Sequence, residues 1–232
     1  MILKMSLKIN NWRTIVKWVV YTLLLILLLI FVARVLVFEH NYYNEKEGSE
    51  RVTMSLAEPA EDLIEQPPTA TEVAEYTVAA DKPRYLTVEK LGVDKARILP
   101  MGVNSKGELM TPINIFDVGW YNASGLPGGG GTMILDGHNG GPHVHGVFKR
   151  LPDLVTGDII TLERGDGAIF KYAVVENKTI PLDTADAYMA TAARSPESGK
   201  EAVTLISCTG EWSQAQQTYL SRQFTRAVLV NE

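Results

Sequence analysis

The pattern of apolar and polar residues divides the chain into three zones. An almost unbroken apolar stretch runs from residue 15 to residue 38. Residues 39–82 are acidic and rich in Pro, Ala and Thr, whereas 83–232 alternate short apolar runs with Gly, Pro and Asp. The three patterns predict a membrane helix, a flexible stalk and one folded domain.

The apolar stretch is long enough to span a bilayer, which needs about 20 residues. Residues 1–18 carry four basic side chains and no acid. By the positive-inside rule they stay in the cytoplasm, so we expect one transmembrane helix at 19–38 and an extracellular C-terminal part. A cleaved signal peptide is the alternative, but the apolar core is long and no small-x-small site precedes Glu39. The sequence therefore predicts an uncleaved, single-pass anchor in the cell membrane.

Residues 39–82 combine low hydrophobicity with repeated negative charge. Such a segment buries too little surface to offset chain entropy, which predicts a flexible stalk with a short helix possible around 57–65. The whole chain has 22 Lys and Arg against 27 Asp and Glu, a formal charge of -5. With no basic stripe visible, we expect no nucleic-acid partner.

The third zone is long enough, at about 150 residues, for one hydrophobic core. Its short β-prone runs are bounded by turn residues and lie at 84–89, 96–101, 132–136, 159–163, 169–176, 202–207 and 224–230. Helical character is limited to short pieces near 117–121, 147–151 and 186–194. The pattern predicts an all-β domain, either a closed barrel or a sandwich.

The only cysteine, Cys208, ends the run TLISC at 204–208. It cannot form an internal disulfide, so it is either a buried inert thiol or a nucleophile. A nucleophilic thiolate requires a base and an oxyanion donor, and candidates are His138 after strand 132–136, and Arg222 and Arg226 near the C terminus. Taken separately, the histidine is also compatible with a turn and each arginine with a solvated charge.

Several motifs occur together in a characteristic order. They are GWY at 119–121 with GLPG at 125–128, ILDGH at 134–138, GVFKRL at 146–151, GDII at 157–160, TLISC at 204–208 and RQFTRA at 222–227. The set resembles the sortases, the cysteine transpeptidases that join proteins to the Gram-positive cell wall. Ser207 stands where the family usually has Thr before its cysteine.

The resemblance implies a closed eight-stranded β-barrel with Cys208 at the end of the seventh strand and Arg222 at the start of the eighth. It implies that Cys208 attacks an LPXTG-like sorting signal and that His138 serves as the acid and base. Arg222 and Arg226 fall on the same strand face about 13 Å apart, at roughly 3.3 Å per residue, so only one can adjoin Cys208. In the family's terminal R-x-x-x-x-A motif the first arginine is catalytic, and Arg222 is the arginine five residues before Ala227.

The loops are expected to bind the substrate. In sortases the connection that corresponds to 178–200 lines the groove, and here that connection and the 209–221 loop are partly apolar. The candidate substrate-binding residues are Ile180, Pro181, Tyr188, Trp212 and Ser207. The resemblance implies two kinds of partner, secreted proteins with a C-terminal sorting signal and an amine of a peptidoglycan precursor or a pilin. No cofactor is expected, and no metal, because the histidines at 138, 143 and 145 lie in a Gly-rich segment and no carboxylate cluster is visible. Within the sortases, the chain resembles the housekeeping-like or small accessory classes more than the pilin polymerases.

Two other interpretations remain. An L,D-transpeptidase also uses a cysteine on a β-rich fold, but its Ser-x-Gly-Cys-x-Arg segment is not matched where Thr209-Gly210-Glu211 follow Cys208. A membrane-anchored, non-catalytic binding module would use the barrel as a scaffold. In that case, loss of the thiol would change nothing measurable.

Overall fold

The computed structural model describes residues 15–23, 25, 34, 63–105 and 107–230, and the chain separates into two compact units, 1–50 and 51–232. In the first unit, the described residues are helical and exposed. Among the described residues, no helix is both long and apolar enough to cross a membrane. Most of the predicted anchor at 19–38, and the stalk from 39 to 62, lie outside the described residues.

The second unit is a closed β-barrel with short helices. Its strands are β1 (Pro83–Val88), β2 (Val93–Met101), β3 (Val118–Tyr121), β4 (Thr132–Gly137), β5 (Ile159–Arg164), β6 (Ile169–Pro181), β7 (Ala202–Ser213) and β8 (Thr218–Leu229). Its helices are α1 (Ala70–Glu75) and α2 (Leu182–Ala192), with 3-10 turns at Glu89–Leu91 and Leu151–Asp153. The all-β closed barrel predicted from the sequence is confirmed.

The strands close in the order β1-β2-β3-β4-β7-β8-β6-β5. The pairs β2/β3 and β4/β7 are parallel and the other pairs are antiparallel. A parallel pair requires a crossover connection. The β2–β3 crossover spans residues 102–117, and β5, β6 and α2 lie between β4 and β7 in the chain.

Strands β4, β7 and β8 are buried on both faces. On β4, Met133 and Leu135 face the barrel interior, whereas Ile134 packs outside against Ala185 and Met189 of α2. Two-sided burial explains why the apolar residues 133–135 of β4 follow one another without alternation. Helix α2 therefore covers part of the outer face formed by β4, β7 and β8.

The folded unit begins earlier than the predicted boundary at residue 83. Helix α1 starts with a capping box, in which Thr69 and Glu72 exchange side-chain-to-backbone hydrogen bonds. The Tyr76 hydroxyl donates to the Ile98 carbonyl of β2, and Nε of Arg84 donates to the Tyr76 carbonyl at 2.8 Å. Residues 63–82, which the sequence analysis assigned to the stalk, thus lie against the barrel.

Some predicted elements differ from those observed. The short helix predicted near 117–121 is wrong, because these residues form β3 in parallel pairing with β2. The piece near 147–151 is a turn that leads into a 3-10 turn. A helix was considered at 57–65, but its described residues, 63–65, are not helical. The helix predicted near 186–194 is α2, which begins four residues earlier, at Leu182.

Candidate active site

Strand β7 carries Cys208 to the outer face of the barrel. Leu205 lies in the interior core and Ile206 in the outer cluster, so alternation places Cys208 on the outer face with Ile206. Cys208 is directly paired with Arg222 across the β7/β8 ladder and is partly exposed. The nucleophile candidate and the favoured arginine are therefore adjacent.

The end of β4 brings His138 level with Cys208. Asp136 is in register with Ile206, and the Ser207 hydroxyl donates to the Gly137 carbonyl at 2.9 Å. Continuing this parallel register by two residues places His138 beside Cys208. Cys208 and Arg222 thus lie on the neighbouring strands β7 and β8, and His138 directly follows β4, the other neighbour of β7.

The backbone of His138 is held by the loop that follows it. Phe148 donates its backbone N–H to the His138 carbonyl at 3.0 Å, and its ring lies where a side chain at Gly137 would project. A Cβ at Gly146 would collide with the same His138 carbonyl. These contacts give a physical reason for the Gly-His and Gly-x-Phe motifs.

A carbonyl in the β2–β3 crossover fixes the imidazole. Nε2 of His138 lies 2.8 Å from the Pro112 carbonyl oxygen. Because a carbonyl oxygen only accepts hydrogen bonds, Nε2 carries a hydrogen and Nδ1 is the free acceptor in the neutral ring. Nδ1 is therefore the ring nitrogen that can accept a proton.

Arg222 is held in a fixed position by its own hairpin. The side chain is 1% exposed; one terminal nitrogen donates to the Tyr219 and Ser221 carbonyls, at 2.9 and 3.0 Å, and the other to the Thr218 hydroxyl at 3.2 Å. Its Nε–H has no hydrogen-bond partner within the described part of the chain. Opposite Cys208, this fixed positive charge suits the stabilisation of negative charge that develops beside the thiol.

Arg226 has a different environment. It is in register with Thr204, four residues before Cys208. Its guanidinium pairs with Glu176 and donates to the carbonyls of Thr191 and Arg194, at 3.1 and 2.8 Å. These contacts tie the end of α2 to the barrel, so we interpret Arg226 as structural.

Burial favours the neutral forms of the thiol and the imidazole. It raises the pKa of Cys208 to about 11, while Arg222 opposes this shift and Asp136 adds to it. Burial also lowers the pKa of His138, which the hydrogen bond to Pro112 partly offsets. At neutral pH the pair is therefore mainly thiol and neutral imidazole, so attack by sulfur requires transfer of its proton to His138.

Sequence analysis missed one charged residue at this site, Asp136. It is 2% exposed, and neither carboxylate oxygen has a hydrogen-bond partner among the described residues. Burial raises its pKa to about 7, with Thr111 acting in the opposite direction. The sequence feature that could have indicated it is a single acidic residue within the otherwise apolar strand at 132–137.

The predicted substrate-binding residues have different environments. Ile180 is in register with Arg222, and Pro181 ends β6 one position further along. Trp212 is 41% exposed and packs edge-to-face on Tyr219 in the β7/β8 hairpin, at 5.2 Å between ring centroids. This hairpin replaces most of the loop predicted at 209–221.

Two of the predicted substrate-binding side chains are already engaged within the domain. The Tyr188 hydroxyl donates to Glu176 at 2.8 Å, and its ring packs on Phe224 at 4.9 Å. Ser207 is buried and bonded to Gly137. Both side chains support the site rather than offer free groups to a ligand.

A cavity of about 380 Å³ opens beside this region. Its lining combines the start of α2 with the β7/β8 hairpin and consists of Pro181, Leu182, Asp183, Gln216 and Leu220. Pro181 places it within one strand position of the Arg222 register. In the described part of the chain, no three His, Cys, Asp or Glu residues are grouped to hold a metal ion.

The sortase-domain family model matches residues 86–230, which is more than half of the chain. The chain belongs to the sortase family. No curated protein matches it in sequence. The sortase barrel, a scaffold of transpeptidases, thus contains the three residues that the motifs identified.

Solved sortase structures are similar to this chain at low identity. A Clostridium perfringens sortase D5 transpeptidase is 19% identical over 69% of this chain and 86% of that chain, with a TM-score of 0.46. Streptococcus agalactiae sortase C1 is 20% identical over 68% and 71%, at 0.47. Streptococcus pneumoniae sortase C is 16% identical over 84% and 88%, also at 0.47. The family assignment rests on the family match, and the housekeeping-like or accessory subclass stays a prediction.

Proposed function

We propose that this sortase is a membrane-anchored cysteine transpeptidase that cleaves an LPXTG-like sorting signal and transfers the acyl group to an amine. The observation that carries the proposal is the pairing of Cys208 with Arg222, with the end of β4 bringing His138 level with them. A thiol, a base with one defined free nitrogen, and a fixed guanidinium are the groups that acyl transfer requires.

In the first half-reaction, Sγ of Cys208 attacks the carbonyl carbon of the Thr–Gly bond as Nδ1 of His138 accepts the thiol proton. Arg222 donates to the tetrahedral oxyanion. The C–N bond then breaks, and the same proton passes from Nδ1 to the departing glycine nitrogen. A thioester on Cys208 and a free amine result.

In the second half-reaction, the acceptor amine attacks the thioester and Nδ1 of His138 takes one of its protons. The C–S bond breaks, and the sulfur recovers a proton from His138. The product is a new amide, and the enzyme regains its initial protonation state. Water in place of the amine would give hydrolysis instead.

The groove residues suit the apolar part of a sorting signal. Ile180 and Pro181 lie on β6, beside Arg222 in register, and Trp212 extends from the hairpin that follows Cys208. The substrates would be secreted proteins carrying the signal, and the acceptor an amine of a peptidoglycan precursor or a pilin. Both would meet the enzyme outside the cell.

Anchoring by residues 19–38 is supported by the apolar stretch and its basic flank. The test is fractionation of expressing cells with external protease. A single-pass anchor predicts full-length chain in the membrane fraction and loss of the 63–230 part on protease treatment of intact protoplasts. Recovery in the soluble fraction would contradict it.

Catalysis is tested with the full chain in detergent, a panel of sorting-motif peptides and several amine acceptors, with products identified by mass spectrometry. The proposal predicts cleavage after one residue of a defined motif and an acceptor-dependent amide product. Cys208→Ala is the matched control and should yield neither. Folded wild type that behaves like the control on every peptide would favour the non-catalytic binding module.

A further inference from the structure

Asp136 lies on the same outer face as the catalytic groups. It is two residues before His138 on β4 and in register with Ile206, two residues before Cys208 on β7. Ile134 and Ile206 both belong to the outer cluster, so the side chain of Asp136 is directed to the outer face rather than the barrel interior. The mechanism above gives this carboxyl no task.

The fold reserves space for the carboxyl group, and the Thr111 side chain lies close enough to lower its pKa. Gly119 is its register partner on β3, and a Cβ at Gly119 would collide with the carboxylate oxygen. The same Cβ would approach Pro112, whose carbonyl holds His138. A buried carboxylate with no cation paired to it is costly, and such groups are concentrated where a charge has a function.

Among the described residues, the strand registers bring three charged or titratable groups toward Asp136. Cys208 lies on β7, Arg222 on β8 opposite Cys208, and His138 at the end of β4 itself. Directly before β3, Asp117 is engaged by Arg97 through two hydrogen bonds, at 2.9 and 2.7 Å. The β2–β3 crossover contributes the uncharged Thr111 and Pro112.

We propose that Asp136 is a positioning residue that sets the protonation of the Cys208–His138 pair through its charge. An ionised carboxyl here disfavours a thiolate on Cys208 and favours a proton on His138. When ionised it therefore adds to burial in keeping the thiol protonated before substrate arrives, and it supports His138 as the acid that protonates the departing amine. Its consequence for turnover rests on the proposed function, but its effect on the thiol does not.

The direct test is the pH dependence of Cys208 alkylation by iodoacetamide in the full chain. Asp136→Asn keeps the shape of the side chain and removes its charge. The expected result is a thiol titration midpoint lower by roughly 0.5 to 1 unit, which is alkylation about three- to tenfold faster below the midpoint. Asp117→Asn, which also removes a buried carboxylate, is the matched control and should leave the midpoint unchanged.

A second measurement separates acid catalysis from structure. For a peptide substrate, whose amine must be protonated to leave, Asp136→Asn should lower kcat/KM about tenfold. For an activated thioester substrate of the same peptide, whose leaving group needs no proton, kcat/KM should change less than twofold. A structural defect would lower both rates together.

Equal alkylation midpoints in wild type and Asp136→Asn would overturn the proposal even if the enzyme turns over normally. So would an equal shift in Asp117→Asn. If Asp136→Asn does not fold, Asp136→Ser is measured in the same way. Failure of both to fold would also contradict the proposal, since it would give Asp136 a structural role. Absence of transpeptidation, by contrast, would leave the alkylation result intact and count only against the proposed function.

Discussion

Cys208 and Arg222 are directly opposite each other in the antiparallel β7/β8 ladder, on the outer face of the barrel. Residues paired in such a ladder have adjacent side chains on one face. Arg226, on the same face, is in register with Thr204 and is occupied by Glu176 and two carbonyls of the α2 region. The register thus distinguishes the two arginines, which alternation alone could not.

The different environments predict different effects of Arg222→Lys and Arg226→Lys. Loss of the fixed guanidinium in Arg222→Lys should lower kcat/KM on the order of 100-fold, as for removal of an oxyanion donor, because lysine keeps the charge but not the planar fork. Arg226→Lys should leave kcat/KM of the folded enzyme within about threefold. It should lower the free energy of unfolding by roughly 2 to 4 kcal/mol through damage to a buried ion pair.

Peptide-cleavage kinetics and urea denaturation of both variants check this prediction. The reverse pattern, with Arg226→Lys inactive and Arg222→Lys merely less stable, would exchange the assignments. Equal losses of activity in the two folded variants would show that both arginines act at the site.

The contact between His138 and Pro112 predicts one tautomer of the neutral ring, with hydrogen on Nε2. Nitrogen-15 chemical shifts of the labelled imidazole report this directly. The same spectra recorded against pH should give a His138 pKa below the usual value of about 6.5. A neutral ring with hydrogen on Nδ1 would contradict the assignment of Nδ1 as the proton-transfer atom.

The lowered pKa also sets the sign of a stability effect. Because the folded state favours neutral His138, its contribution to the free energy of unfolding is complete above about pH 6.5. That contribution is lost as the pH falls from 6.5 toward the lower folded-state pKa. His138→Gln should remove this part of the pH dependence, measured by urea denaturation between pH 4 and 8.

The contacts of residues 63–82 predict that they stabilise the barrel. A chain that begins at residue 83 should have a free energy of unfolding lower by about 2 to 4 kcal/mol than one that begins at 63, because it loses α1 and several hydrogen bonds. Tyr76→Phe, which removes only the bond to Ile98, should cost about 1 kcal/mol. Equal stability of the two chain lengths, by denaturation, would show that this segment adds nothing.

Motif order and strand alternation predicted the barrel and the catalytic residues from the sequence. The strands β4, β7 and β8 were recognised from short β-prone runs at 132–136, 202–207 and 224–230. Their neighbour β3 was missed, since it has four residues with a glycine inside and pairs in parallel with β2. Its glycine is needed to accommodate Asp136, a long-range requirement that a local pattern does not reveal.

The rest of the site depends on contacts between distant parts of the chain. The fixing of the His138 tautomer by Pro112 joins residues 26 positions apart. The attachment of residues 63–82, whose composition predicted a flexible stalk, depends on Tyr76 in that segment and on Tyr85 of β1, whose hydroxyl donates to the Val73 carbonyl. The engagement of Tyr188 with Glu176 likewise arises from the pairing of α2 with β6 and β8.

The most direct test of the account is the intact mass of the full chain, in detergent, after brief incubation with cleavable sorting-motif peptides and acid quenching. A thioester mechanism predicts an added mass equal to the acyl part of one peptide, and digestion should locate this added group on Cys208. The adduct should be removed by hydroxylamine and be absent from Cys208→Ala. Cleavage of peptide by folded wild type without such an adduct, or an equal adduct in Cys208→Ala, would contradict a thioester mechanism at Cys208.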